Sequence, residues 1–180
     1  MEKLYEFKPQ DNKGKIGEKL FADTYSEFGP IKQEAKSWID FVLKTLPPWT
    51  TKPNVEVKFD DMSQYTGNIF VEEFVVKHEY YPGGPWRAIK SDANYVHYVL
   101  YNNTFYWFDA EKFIDWIGRA GISRKPGAYN KDGSSVGGYI IPIDRIDDLK
   151  TDILIHKQAY DKTRKTDSNS RTPQVQGDGH

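Results

Sequence analysis

Cysteine does not occur anywhere in the 180 residues. A disulfide framework and a thiolate metal site are both excluded, so any metal here must be held by oxygen or imidazole. Long apolar runs are missing as well. No stretch approaches the roughly 20 consecutive apolar residues of a membrane-spanning helix, and no membrane partner is expected. The opening MEKLYEFKPQ lacks the apolar segment of a secretory signal. With the absent cysteines, this points to a soluble protein in a reducing, intracellular setting, the cytoplasm. Neither sign of charge is in excess: 25 Lys and Arg stand against 26 Asp and Glu, a net charge of −1. Bulk attraction therefore cannot carry binding to nucleic acid, and any such binding must be local. A site that gathers carboxylates would repel phosphate unless divalent cations sat between them.

What is abundant is aromatic. Tyr, Phe and Trp number 12, 10 and 5, and each buries a large surface, so one core is feasible without staples. The length suits a single domain. We place it at residues 1–156 and expect the polar remainder, 157–180, to be a disordered tail. Ile16, Leu20, Phe21 and Tyr25 recur at helical spacing. They predict a first helix that stops near Phe28-Gly29-Pro30 and carries Glu18 in its first turn. Runs of β-forming residues predict strands over 38–43, 55–59 and 68–76, as a mixed or antiparallel meander. Ser91-Asp92 reads as the cap of a helix over 93–100, although helix and strand are nearly balanced there. A strand at 104–108, a helix at 110–117 and a loop over 118–138 follow. The last predicted strand, 139–143, contains Pro142, which implies a sheet edge. The fold class is α/β, a central mixed β-sheet flanked by helices.

Chemistry concentrates at Glu56-Val57-Lys58. The strand period places Val55, Val57 and Phe59 on one face and Glu56 with Lys58 on the other. Opposite charges within an otherwise apolar strand are costly unless they serve each other or a metal. Asp40 precedes Glu56 by roughly a strand and a loop, and carboxylates on adjacent strands converge within about 5 Å. That geometry suits Mg²⁺ or Mn²⁺, which take one or two carboxylates and fill their remaining positions with water and phosphate. A lone Glu-X-Lys is commonplace on an exposed strand, and a lone Glu18 is an ordinary helix residue. Their order along the chain is what gives them weight.

Glu18 in a first helix, Asp40 after Ile39, and Glu56 with Lys58 on the next strand together resemble the PD-(D/E)XK, or restriction-endonuclease-like, nuclease superfamily. Ile39 stands where that pattern usually has proline, which removes no functional group. Thr66-Gly67-Asn68, Val71-Glu72, Ser91-Asp92-Ala93 and Ile140-Ile141-Pro142-Ile143 resemble a phage and bacterial endonuclease-like or Holliday-junction-resolvase-like subgroup. The resemblance implies Mg²⁺- or Mn²⁺-dependent hydrolysis of DNA phosphodiester bonds. Asp40 and Glu56 would hold the metal with the Val57 carbonyl and Glu18, and Lys58 would orient or deprotonate the attacking water. Duplex or branched DNA is the implied partner, a homodimer is possible because paired nicks need two sites, and a phage-encoded chain would work in the host cytoplasm.

Other assignments stay open. In an alternative register Asp60 and Glu72 form the metal pair, brought together by a hairpin through Gly67-Asn68, but Phe74 stands where a lysine is needed. Arg87, Lys90, Arg119, Arg124, Lys125 and Lys131 are candidates for contact with nucleic acid, although charge runs are usually solvated faces. The aromatic stretch 80–87 could stack on bases or be a plain turn. His78, His97 and His156 lack ligand spacing, and His180 is terminal. The rival function is a catalytically inactive nuclease-fold protein that binds nucleic acid or protein.

Overall fold

The structure, a computed structural model, describes residues 10–34, 37–129 and 133–161. Helix α1 (Gln10–Thr24) is followed by a short 3-10 turn (Ser26–Phe28) and by Gly29, whose left-handed φ of 58° ends the helical run as expected. The helix starts earlier than the periodicity suggested, so Glu18 lies in mid-helix and not in the first turn. Phe21 and Tyr25 are buried, but Ile16 is 50% exposed. Gly17 takes the inward position instead: a Cβ there would lie 2.6 Å from Phe59 Cβ. A residue without a side chain lets the helix lie directly on the sheet at that point.

The remaining strands and helices are β1 (Pro30–Lys32), β2 (Phe41–Leu43), β3 (Asn54–Asp60), α2 (Ser63–Thr66), β4 (Asn68–Val76), β5 (Tyr80–Pro82) and α3 (Gly84–Lys90). They continue with β6 (Ala93–Val99), β7 (Thr104–Phe108), α4 (Ala110–Arg119), β8 (Arg124–Tyr129), β9 (Ser135–Pro142), α5 (Ile143–Asp147) and β10 (Leu154–Ala159). The fold is α/β with a mixed central sheet. Its six strands run β1-β2-β3-β6-β7-β10, with β3 and β6 parallel and every other pair antiparallel. A four-stranded sheet, β5-β4-β9-β8, stands apart from it. A parallel pair cannot be joined by a tight turn, and here the crossover from β3 to β6 carries α2, β4, β5 and α3.

Several sequence expectations are corrected. The segment 93–100 is strand β6, not a helix: all seven residues of the strand are buried, and Tyr, Val and His suit a covered strand better than a helix. The expected meander holds for β2 and β3, with the unexpected β1 added beside β2, but β4 leaves for the second sheet, so no β3–β4 hairpin exists. The expected loop 118–138 instead contains strand β8 and the first half of β9, which pair with each other. Pro142 does not mark an edge strand. It is the last residue of β9, beyond Tyr139, where the pairing with Arg124 of β8 ends, so its missing N–H breaks no ladder on that side. Strand β10 runs through Ala159 and crosses the boundary set at 156/157, because Lys157 to Ala159 pair with β7. Residues 162–180 of the expected tail lie outside the described residues. No helix among the described residues is long and apolar enough to cross a membrane.

The central sheet divides two apolar clusters. On the α1 side, Phe21, Tyr25, Phe41, Val55, Val57, Val96, Phe105 and Trp107 pack together, and Trp107 Nε1 donates to Tyr25 Oη at 2.8 Å. On the other side, Tyr95, Tyr106 and Phe108 meet Ala88, Phe113 and the inward residues Ile69, Val71 and Ile141 of the second sheet. Within that second sheet, β9 passes so close to β4 that a Cβ on Gly138 would collide with the Val71 carbonyl. Gly138→Ala is expected to destabilise the protein by roughly 3 kcal/mol through overpacking against backbone. Thermal melts would check it, with Gly118→Ala as the open-space control.

Candidate active site

The β2–β3 ladder ends at Phe41 opposite Val55, and the Asp40 N–H still reaches the Val55 carbonyl at 2.9 Å. Beyond this point the strands part. The Val57 N–H, left without a strand partner on that side, donates instead to Asp40 Oδ2 at 2.7 Å. Asp40 therefore sits at the fork between two strands, held by the backbone of the residue next to Glu56. Asp40 itself lies just before β2 and not within a strand, since β2 begins at Phe41.

Glu56 points to the opposite face from Val55 and Val57, as the alternation required, and is 1% exposed. Its Oε1 lies 3.3 Å from Lys58 Nζ, and its Oε2 lies 3.6 Å from Arg87 Nε. That second oxygen is buried without a hydrogen bond. Burial raises the Glu56 pKa, Lys58 pulls it down, Asp40 pushes it up and Arg87 pulls it down, leaving it raised to about 7. Burial alone would lower the Lys58 pKa, but the carboxylates of Glu72, Glu56 and Asp40 outweigh it and raise the value above that of an ordinary lysine. Lys58 reaches Glu72 Oε1 at 3.7 Å. The ammonium thus sits between two acids from different sheets.

Arg87 holds the other end of the fork. It donates from Nε to the Trp38 carbonyl at 2.9 Å and from Nη2 to the Ser37 carbonyl at 3.0 Å. This planar fork staples the segment leading into Asp40 to the helix beside Glu56. Arg87→Ala should loosen that segment and, if Asp40 and Glu56 hold Mn²⁺ as the resemblance implies, weaken its binding about tenfold. Arg87→Lys should not restore it, because an ammonium cannot serve two carbonyls and a carboxylate in one plane. Isothermal titration calorimetry with Mn²⁺ reads both.

Beneath the acids lies a second polar group. Tyr95 Oη and His97 Nδ1 are 2.7 Å apart, and His97 Nε2 is 3.6 Å from Asp60 Oδ2. Burial raises the Tyr95 pKa well above its ordinary value, with Glu72, Glu56 and Asp60 adding to the effect. Asp60 accepts from the Ser63 N–H at 3.0 Å and from the Phe70 N–H at 2.8 Å. Burial raises its pKa, but the adjacent His97 imidazole and those two N–H groups outweigh it, so the value is lowered. Asp60 is thereby committed to tying the start of β4 to the end of β3.

The sequence-derived residues are distributed as follows. Asp40, Glu56, Lys58 and the Val57 backbone come together, joined by Glu72 and Arg87. Glu18 does not join them: it pairs with Lys32 on β1. Asp60 and Glu72, the alternative pair, have separate partners. Arg124 pairs with Glu73 at 2.5 Å and lies over the Phe74 ring. Arg119 Nε donates to the Asp115 carbonyl at the end of α4, and Lys90 ends α3 with its side chain exposed. Lys125 lies on β8 opposite Gly138, which is itself the cross-strand partner of Glu72, and Lys131 lies outside the described residues. Tyr95 and His97 were missed because a helical period separates two residues that a strand period puts on one face.

Mg²⁺ or Mn²⁺ needs one or two carboxylates, and Asp40 with Glu56 is such a pair. Among the described residues, no group of three or more His, Cys, Asp or Glu side chains is arranged to hold a metal as it stands. The fit rests on the donor chemistry and on Glu56 Oε2, a buried carboxylate oxygen that lacks a hydrogen bond. Compared with family models, curated proteins and solved structures, the chain matches none.

Proposed function

We propose that the chain is a Mg²⁺- or Mn²⁺-dependent endonuclease of the restriction-endonuclease-like class, hydrolysing phosphodiester bonds in DNA. The observation that carries this reading is the fork itself. Asp40 is clamped by the Val57 N–H, Glu56 lies beside it with one oxygen left unbonded, and Lys58 stands between Glu56 and Glu72. A mixed central sheet flanked by helices is the setting that the resemblance implied.

Asp40 and Glu56 would hold the ion. When bound, it supplies Lewis-acid polarisation of a phosphoryl oxygen and offsets the charge that develops on the leaving group. The chain's own groups do the rest. The Lys58 ammonium, poised between two carboxylates, can turn toward an attacking water and stabilise its deprotonated form. Glu72 offers a third carboxylate at that point and can take a proton from the same water. The Val57 N–H holds Asp40, and Arg87 ties Glu56 to the segment leading into Asp40, so both acids are kept at the same fork.

Incubation of fluorescently labelled duplex, branched and single-stranded oligonucleotides with Mn²⁺ tests the proposal. Time-dependent, chelator-sensitive cleavage is expected. The rival, an inert binding module, predicts oligonucleotide binding with neither cleavage nor Mn²⁺ uptake by calorimetry.

A further inference from the structure

Tyr95, His97 and Asp60 are buried polar groups that the cleavage chemistry above does not use. They share the face of the central sheet that carries the acids. Parallel pairing sets Tyr95 beside Glu56 and His97 beside Lys58, on strands about 4.8 Å apart. Helix α3 closes over the Tyr95 hydroxyl at Gly84. A Cβ on that glycine would lie 3.6 Å from Tyr95 Oη and 2.6 Å from the Glu72 carbonyl oxygen. The carboxylates of Glu72, Glu56 and Asp60 all act electrostatically on this hydroxyl. Tyr95 Oη is thus part of the floor of the fork.

Which partner donates in the Tyr95–His97 bond decides what that hydroxyl offers the acids. At 2.7 Å one of the two must donate. A neutral imidazole carries its proton on one nitrogen, and the group facing the ring selects which. His97 Nε2 makes no hydrogen bond and faces Asp60 Oδ2 at 3.6 Å. Asp60 accepts from the Ser63 and Phe70 N–H groups, which hold it as a carboxylate, and its negative charge favours a proton on Nε2. Nδ1 is then the acceptor, and Tyr95 commits its O–H to His97. Among the described residues Tyr95 Oη makes no other hydrogen bond. Tyr106, beside His97 on β7, is bonded to Asn102 and Asp147. Lys58 and Arg87 are directed at Glu56, Glu72 and the Ser37 and Trp38 carbonyls. One acceptor position on the Tyr95 oxygen stays open, and burial denies it bulk solvent.

We infer that Tyr95 is a positioning residue for the hydrated cation: Asp60 and His97 fix its hydroxyl as a donor to Nδ1, and its oxygen accepts from a water that the cation carries in beside Glu56 and Glu72. The inference rests on the metal-dependent reading and adds a water-mediated contact to it. Mg²⁺ gives up its waters reluctantly and keeps several, whereas Ca²⁺ takes most of its oxygen ligands directly. A contact made through water therefore favours Mg²⁺ over Ca²⁺.

Long-range ¹H–¹⁵N spectra of the full wild-type chain, without metal and at about pH 8, test the hydrogen-bond direction. The His97 ring, assigned by correlation to its own backbone, should be neutral and protonated on Nε2. A proton on Nδ1, alone or in an imidazolium, would make Tyr95 a donor toward the acids and overturns the inference. Calorimetry tests the contact with the ion. Tyr95→Phe keeps the ring, and it should weaken Mg²⁺ binding about tenfold while changing Ca²⁺ binding by less than about twofold. Equal losses for both ions would mark a loosened fold and overturn the inference, as would unchanged Mg²⁺ affinity. The tautomer is read on the wild-type chain, so refutation stays within reach even where Tyr95→Phe does not fold. A wild type that takes up neither Mg²⁺ nor Mn²⁺ removes the metal-dependent reading and this inference together. Uptake with the opposite tautomer, or without selective loss of Mg²⁺ in Tyr95→Phe, removes this inference alone.

Discussion

Asp40→Asn and Lys58→Ala should each lower DNA cleavage by at least about a thousandfold, and they should do so with opposite effects on the ion. Asparagine at 40 can still accept the Val57 N–H that Asp40 Oδ2 now accepts at 2.7 Å, so the fork keeps its shape while losing a charge. Mn²⁺ affinity should fall along with activity. Alanine at 58 removes the ammonium that stands 3.3 Å from Glu56 and 3.7 Å from Glu72. The acids then lose their internal counter-charge, and Mn²⁺ should bind at least as tightly as before while cleavage disappears. Single-turnover assays paired with calorimetry separate the two patterns. Cleavage at the wild-type rate in both variants would remove the nuclease proposal.

A change of pH should expose the cost of the buried acid. The folded-state pKa of Glu56 is about 7 against an ordinary 4.5, with burial the main cause. Because the folded value is the higher one, the folded protein binds more protons than the unfolded chain between those limits. Stability from this group is fully present below about 4.5 and is lost as pH rises through about 7. The full difference corresponds to roughly 3 kcal/mol at 1.36 kcal/mol per pKa unit. Metal-free protein should therefore lose stability between pH 5 and pH 8, and Glu56→Gln should flatten that slope in denaturant titrations. Mn²⁺ should reverse the trend. A proton on Glu56 competes with the cation, so affinity should climb with pH through about 7 and level off above it. A Glu56→Gln slope identical to that of the wild type would show that another group governs the titration.

The fork was legible where local pattern and tertiary structure agree. Val55, Val57 and Phe59 alternate against Glu56 and Lys58, and the strand period fixed which way the two charges point, although Glu56 is as buried as its apolar neighbours. Asp40 was found from its distance along the chain to Glu56, although it lies just before β2 and not on the longer strand its β-formers suggested. Glu18 misled because its place depended on a partner across space, Lys32, that no spacing reveals. Asp60 and Glu72 were linked by a turn signal at Gly67-Asn68. The left-handed Gly67 is real, with φ 65°, but it closes the short helix α2 and not a hairpin. Tyr95 and His97 stayed hidden because β-branched and aromatic residues that suit a covered strand can also be counted as one side of a helix. Arg87 was read as a contact for nucleic acid, since the sequence does not show that two carbonyls ahead of Asp40 await its guanidinium.

The parallel pairing of β3 with β6 bears on how the molecule must assemble. Glu56 and Tyr95 are in register across that pair, yet they lie 39 positions apart along the chain. The intervening chain brings both Glu72 and Arg87. Loop closure of this length precedes any reward from the pairing, which slows folding relative to local hairpins. Asp40 meets Glu56 through the local β2–β3 pair, whereas Glu72 and Arg87 arrive only with the long crossover, so the third carboxylate burdens the later stage of the folding reaction.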